Sequence, residues 1–436
     1  MRIHPFLPHL QTPETNDVLA VAHAALDAVH ARTLIRQSLQ FHDNNLHIND
    51  CFGNKATYNL GRFRRIFVLG AGKASAHMAQ ALLTLLPKEN IADGVVITKK
   101  GHGMPCGPVR CLEADHPIPG QATLEATEQL LELANQAGRG DLVIFCLSGG
   151  ASSLLERPLP GVSIEDIQMW TSRLLHTKTS IQAMNRVRTA FSAVKGGGLA
   201  QAIDPAELIT LVISDVIGDQ PEVIGSGPTV IPASRRLGQV PDRDTLEALL
   251  AEPDFFRSES PKPKNYFVIG NIMAARTAAS QAAQRRGYPV QLIEQPYQGM
   301  LENYVDFWRR LMMQNVHASK MAVIAGSECV LDVPEKTCGT GGRNQHLALQ
   351  MTARMANYPR PWTFLSLGTD GNDGQTQAAG ALINYATFFN AAAMGFDVES
   401  HLKEYDSGGF FQKAGGQVIT GPTGTNVNDL QILILG

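Results

Sequence analysis

The sequence predicts an α/β protein whose sheets are mainly parallel and covered by helices on both faces. Three observations carry this. Short, continuously apolar strands alternate with helical segments along the whole chain, as strands buried on both sides require. Glycine-rich turns stand at the carboxyl ends of most of those strands. The length, 436 residues, leaves room for about two or three domains. With 44% apolar and 18% charged residues, a mostly disordered chain is excluded. With 37 basic against 40 acidic side chains, the formal charge is −3, which argues against a dedicated nucleic-acid binder.

The elements follow in order. Val18, Leu19, Val21, Ala22, Ala25, Leu26 and Val29 recur at helical spacing, so residues 14–40 read as a helical region. Residues 41–61 are polar and irregular and read as a surface loop. Arg65 to Leu69 is a short strand that runs into Gly70-Ala71-Gly72-Lys73, followed by a helix from Ala74 to Leu86 that Pro87 stops. Next come a strand at 94–98, a helix at 123–137 and the wholly apolar strand 141–147, which delivers Ser148-Gly149-Gly150-Ala151-Ser152-Ser153. Ser163 and Asp166 form an N-cap pair. A helix at 179–194 ends at three glycines, and strand 208–213 delivers Ser214-Asp215. Residues 228–264, rich in proline and charge, read as a linker or excursion. Strand 266–269, helix 273–286, strand 289–293, helix 299–314 and strands at 321–325, 362–367 and 417–420 complete the pattern. A domain boundary is expected near 228–264 or near 315.

In open α/β sheets, ligands bind beyond the carboxyl ends of the strands. Here those ends read GAGKAS (70–75), SGGASS (148–153), SDVIGD (214–219), GSECV (326–330), GTDGNDG (368–374) and TGPTGTN (420–426). Each alone is an ordinary connection; together they suggest an anion site, because glycine permits close backbone approach and helix N-termini attract anions. Gly70 and Gly72 partly match a dinucleotide fingerprint, but Ser75 stands at its third glycine, and strand 94–98 leads to Lys99-Lys100 with no ribose-binding acid. No GxxxxGK[ST] occurs. Lys73 sits at a helix start, where a bound phosphate or carboxylate would offset its unfavourable charge. Arg343, in GTGGRNQ, offers a planar fork for carboxylate or phosphoryl oxygens, and Lys195 is a further cation. Asp215 and Asp219, and Asp370 and Asp373, are carboxylates in small-residue turns, suited to Mg²⁺ with a nucleotide, to a general base, or to turn-making alone. His116 could donate to an anionic substrate or cap its loop. Ser148, Gly149, Gly150, Ser152 and Ser153 read as an anion cradle better than as a hydrolase nucleophile site, since no GxSxG or triad is present.

The start of the chain has no basic segment followed by an apolar run, and no stretch approaches the ~18 apolar residues of a membrane span. None of the six cysteines forms a CxxC pair. The expectation is a reduced, cytoplasmic protein without structural zinc.

The set VLGAGKAS, DHPIP, SGGASSLL, VKGGGLA, SDVIGDQPEVIGSGPT, GGRNQHLAL, GTDGNDGQTQAAGA and TGPTGTNVNDL resembles the class II glycerate kinases, whose C-terminal part is called MOFRL, in order from about residue 18 to 430. Members have often been named hydroxypyruvate reductase. The resemblance implies two different α/β domains, the first Rossmann-like with a mainly parallel sheet, with the active site in the cleft between them. It places the first domain at 1–264, possibly discontinuous, and a C-terminal α/β region at 265–436 with MOFRL at about 320–430. It implies transfer of phosphate from ATP to the 2-hydroxyl of D-glycerate with Mg²⁺, in a monomer or homodimer without nucleic-acid or membrane partners. Lys73, Arg343 and Asp215 would carry the reaction. Gly70, Gly72, His116, Ser148, Gly149, Gly150, Ser152, Ser153 and Lys195 would bind substrate or phosphate, and Asp215, Asp370 and Asp373 the metal. The chain departs from the family pattern at His346, where GGRNQ is usually followed by an acid, at Gly120 after DHPIP, at 337–340, and at Gly270-Asn271-Ile272. The competing readings are an NAD(P)H-dependent hydroxypyruvate reductase and a non-catalytic sensor of sugar acids or nucleotides.

Overall fold

The computed structural model describes residues 1–176, 181–231, 263–334, 337 and 339–436. These divide into two units: one is Ala31–Asn271, and the other joins Met1–His30 to Ile272–Gly436. Most of the linker-like segment 228–264, the start of the helix expected at 179, and Cys338 lie outside the described residues. Among the described residues, no single helix is long and apolar enough to cross a membrane.

The unit Ala31–Asn271 is built on a six-stranded, wholly parallel sheet. Its order is Tyr266–Gly270, Glu207–Ile213, Asp141–Ser148, Arg65–Ala71, Ile91–Lys99, Val109–Ala114. Counted along the chain, that is 6-5-4-1-2-3, the doubly wound order, whose direction reverses between the first and fourth strands. Phe67, Leu69, Val95, Phe145, Leu147 and Val212 are buried with Leu130 and Ala134 of the helix Gln121–Gln136. The helix cap at Ser163 is as expected: Asp166 accepts from the Ser163 N–H at 2.9 Å, and the Asp166 N–H donates to Ser163 Oγ at 3.1 Å. The segment expected to be a loop is instead a three-stranded antiparallel sheet, Leu39–His42, Asn45–Asn49 and Lys55–Asn59. Its first turn is Asp43-Asn44, both at positive φ (48° and 60°), a two-residue hairpin turn of the kind that suits strand twist. The expected long N-terminal helix is two helices, Pro13–Val29 and Ala31–Ser38, separated where His30 turns extended (ψ 134°).

The other unit has an eight-stranded sheet, and it corrects the expectation of parallel pairing. Its path is Arg2–His4, Gln417–Ile419, Gly380–Asn384, Trp362–Gly368, Asp429–Leu435, Met321–Val330 and Val290–Leu292, with Tyr297–Met300 also paired to Met321–Val330. Only the Val290–Leu292 and Tyr297–Met300 pairs are parallel; the rest are antiparallel. The reason is burial. Phe364, Leu433, Val323 and Ala325 face a cluster with Leu301, Trp308 and Leu347 of the helices Leu301–Gln314 and Arg343–Arg354. The helices Pro13–Val29 and Ile272–Arg285 pack against the same strands. With every residue of Trp362–Gly368 and Asp429–Leu435 buried, these strands lose the in-out alternation that marks a half-exposed antiparallel strand.

Candidate active site

In the unit Ala31–Asn271 the GAGKAS and SGGASS turns leave adjacent strands on either side of the switch point, where an open sheet leaves a crevice. The Lys73 N–H donates to the Gly149 carbonyl at 2.9 Å, and the Ala74 N–H donates to Ser148 Oγ at 2.9 Å. The Lys73 carbonyl accepts from Thr98 Oγ1 at 3.3 Å. The main chain of Lys73 is therefore held by both neighbouring strands, just ahead of the helix Ser75–Leu85. Gly72 has φ +127°, and a Cβ there would lie 2.3 Å from both the carbonyl oxygen and Oγ of Ser148. Gly72→Ala should thus cost at least ~2 kcal/mol by urea unfolding, from the φ strain and the forced displacement together. Gly70 is also closely packed, with its missing Cβ 2.7 Å from the Cys146 carbonyl.

Gly150, at φ +86°, brings two candidates together: a Cβ there would lie 3.2 Å from the His116 ring and 3.3 Å from Lys73 Cγ. Both side chains are half-buried. The expected serine cradle is altered. Its helix is a single turn, Ala151–Leu154, too short for a sizeable dipole. Ser153 Oγ donates to the Gly150 carbonyl at 3.2 Å, and Ser152 Oγ shares a 2.8 Å hydrogen bond with Ser226 Oγ. Asp215, half-buried, follows the next strand of the sheet, so it lies at the same carboxyl edge. Asp219, at φ 53°, accepts from Asn271 Nδ2 at 2.6 Å. Lys195 is fully buried: its ammonium forms an ion pair with buried Glu156 and donates to the Leu155 carbonyl at 3.1 Å. Its charge is neutralised within the fold, a partnership that no sequence spacing suggested.

In the other unit Arg343 opens the helix Arg343–Arg354, and its guanidinium forks onto Asp429, with Nη2 3.2 Å from Oδ1 and Nε donating to Oδ2. Burial alone would lower the pKa of Arg343, but the Asp429 carboxylate raises it. Asp429 starts the strand Asp429–Leu435 and pairs in register with Gly368, two residues before Asp370. Arg343, Asp429 and Asp370 are thus gathered at one end of this sheet. Asp370 is buried, and its Oδ1 accepts from the Asn372 N–H at 3.0 Å. Asp429 is the residue that sequence reasoning missed; the signal was a carboxylate beginning a mostly apolar run.

Asp373 does something different from its sequence neighbour Asp370. Its two oxygens accept the N–H groups of Asn344 (2.9 Å) and Gln345 (2.8 Å), and Gln345 Nε2 donates at 3.1 Å. It caps the Arg343 helix, whose N-cap residue Gly342 has no side chain to do so. A Cβ on Gly342 would lie 2.3 Å from Asp373 Oδ1. Burial pushes Asp373 up to about 6. Both oxygens of Asp373 are thus engaged by the start of the helix that carries Arg343.

His346 is 2% exposed, stacks on Tyr405 with ring centroids 5.2 Å apart, and leaves Nδ1 without a hydrogen-bond partner. Burial lowers its pKa from 6.5 to about 4. The unfolded chain then binds the proton first, so stability is full above pH ~6.5 and falls as pH drops toward ~4, by up to ~3 kcal/mol. The difference in urea midpoints between the protein and His346→Gln, followed across that window, should show this loss.

The chain matches two family models: the domain of unknown function DUF4147 over residues 17–243 and the MOFRL family over residues 321–429. It is 38% identical to D-glycerate 2-kinase of Thermotoga maritima over 379 residues, covering 84% of this chain and 90% of that one. It is 32% identical to human glycerate kinase over 445 residues, covering 85% and 84%. The crystal structure of glycerate kinase from Thermotoga maritima superposes with a TM-score of 0.77 at 34% identity, over 97% of this chain and 100% of that one. The two-unit α/β fold, the MOFRL match and the glycerate kinase relatives together place the protein among phosphotransferases. Within that class, the chain belongs to the DUF4147–MOFRL family of glycerate kinases.

Proposed function

We propose that this protein transfers the terminal phosphoryl group of ATP to the 2-hydroxyl of D-glycerate, giving 2-phosphoglycerate and ADP, in cytoplasmic carbon metabolism. The observation that carries the reading is Lys73, fixed by its main chain at the switch point beside His116 and Gly150. Its ammonium and the Arg343 guanidinium neutralise the transferring phosphoryl group and the glycerate carboxylate. His116 orients the glycerate carboxylate. Either Asp215 or Asp370 takes the proton of the attacking hydroxyl. Phosphoryl transfer is chiefly positioning and charge neutralisation, which this residue set suits.

Mg²⁺ takes oxygen ligands, commonly one or two carboxylates plus phosphate oxygens and water. Asp215 and Asp370, each in a turn after a strand, fit that chemistry. When bound, the ion would draw off charge from the phosphate oxygens. Asp215 and Asp370 are the residues that would hold it, and Asp373 would act through the helix that carries Arg343.

The test is phosphorus NMR of the products after incubation of the protein with ATP, Mg²⁺ and D-glycerate. A 2-phosphoglycerate signal supports the reading, and a 3-phosphoglycerate signal overturns the pose of the substrate. Intact ATP, with NADH consumed when hydroxypyruvate is supplied, would replace the kinase by the reductase. The doubly wound strand order is compatible with that reductase, but the strand Ile91–Lys99 ends in Thr98-Lys99 with no acid for a ribose.

A further inference from the structure

Two thiols outside the proposed active site lie on one face in the unit Ala31–Asn271. Cys106 and Val109 form an antiparallel bridge, closed by a hydrogen bond from the Val109 N–H to the Cys106 carbonyl at 3.1 Å. Residues directly opposite in such a pair share a face, and residues two apart on a strand share a face. Cys111, two residues beyond Val109, therefore lies on the same face as Cys106 and diagonal to it. The Cys106 thiol is shared between the Ala76 carbonyl at 3.4 Å and the Met104 carbonyl at 3.5 Å, and it stands close enough to Cys111 for each thiol to shift the other's pKa. Cys106 is buried, with Sγ 3.4 Å from the Ala76 carbonyl. Cys111 is partly exposed on Val109–Ala114, the edge strand of the parallel sheet. One thiol is thus reachable from solvent and the second waits behind it.

We propose that Cys106 and Cys111 form an oxidation site, a dithiol that a peroxide or a low-molecular-weight disulfide converts to an intramolecular disulfide. With hydrogen peroxide, the Cys111 thiolate attacks one oxygen, the O–O bond breaks, and water leaves with the Cys111 sulfenic acid in place. The Cys106 sulphur then attacks the Cys111 sulphur, the S–S bond forms, the S–O bond breaks and a second water leaves. Two thiols lose two electrons and two protons, and one peroxide becomes two waters. The neighbouring Cys106 thiol lowers the pKa of Cys111 to about 7, so the thiolate is available near neutral pH, while the same proximity, with burial, pushes Cys106 up. This follows the pattern of an accessible, low-pKa thiol beside a resolving one. The inference stands whether or not the protein phosphorylates glycerate.

Arg110 lies between the two cysteines, so trypsin separates them into peptides 101–110 and 111–139. The reduced full-length protein is treated with hydrogen peroxide, remaining thiols are alkylated, and the protein is digested and examined by mass spectrometry. The expected result is those two peptides joined through one disulfide, released by dithiothreitol. The rate should rise with pH around a midpoint of about 7. Cys106→Ser should stop at a Cys111 sulfenic acid trapped by dimedone, and Cys111→Ser should leave Cys106 alkylated. Recovery of both peptides alkylated after peroxide would overturn the proposal. So would Cys111 carried on to the sulfinic acid with Cys106 still alkylated, or a disulfide from Cys111 to any other cysteine.

Discussion

Lys73→Ala should lower kcat/KM for glycerate phosphorylation by at least ~10²-fold, about the effect of removing one transition-state donor. The structure makes this a clean experiment. The main chain at position 73 is fixed by the Gly149 carbonyl and Thr98 Oγ1, contacts that an alanine keeps. The half-buried side chain can thus be removed without unmaking the turn, and stability should change by no more than ~1 kcal/mol in urea. Lys73→Arg should restore little, since a planar guanidinium cannot stand in for a compact ammonium in a tight site. Near-normal turnover in Lys73→Ala would take this residue out of the reaction and shift the weight to Arg343.

Asp373→Ala should destabilise the protein by ~2–4 kcal/mol, because the Asn344 and Gln345 N–H groups lose a buried acceptor at the helix start. Glycine at the N-cap offers no substitute. As the same helix carries Arg343, kcat/KM should fall as well, yet the Mg²⁺ concentration giving half-maximal activity should move by less than ~2-fold. Asp370→Ala should do the reverse, raising the Mg²⁺ requirement while costing less stability. A tenfold or larger rise in Mg²⁺ requirement for Asp373→Ala would return that carboxylate to the metal. The two variants separate residues that the motif GTDGNDG presents as equivalents.

Those two aspartates show where sequence reading stops. The carboxyl-end turns were legible because glycine, serine and aspartate cluster after apolar strands, and the parallel sheet was legible for the same reason. What the motif could not tell is which carboxylate faces a helix 28 residues away in sequence, as Asp373 faces Gln345. Lys195 was hidden likewise: its partner Glu156 lies 39 residues off, and a buried ion pair leaves no local pattern. Arg343 was visible, but Asp429, which aims it, lies 86 residues away. In the second sheet, burial on both faces erased the alternation that normally betrays antiparallel pairing. At 39–59 the signal was present, in Asp43-Asn44 between short alternating segments, but polar side chains on the open face read as a loop.

The strand Asp429–Leu435 lies inside its sheet, between Trp362–Gly368 and Met321–Val330. The parallel sheet of Ala31–Asn271 has its last strand by Gly270. During synthesis, therefore, one half has every strand it needs long before the other. The leading helix Pro13–Val29 must wait, its apolar side uncovered, while more than two hundred residues emerge ahead of its partners. Until the last strand is made, Trp362–Gly368 and Met321–Val330 each present an open edge to any neighbouring chain. A nascent protein of this architecture is accordingly most exposed to faulty pairing late in translation, before the strand Asp429–Leu435 has been made.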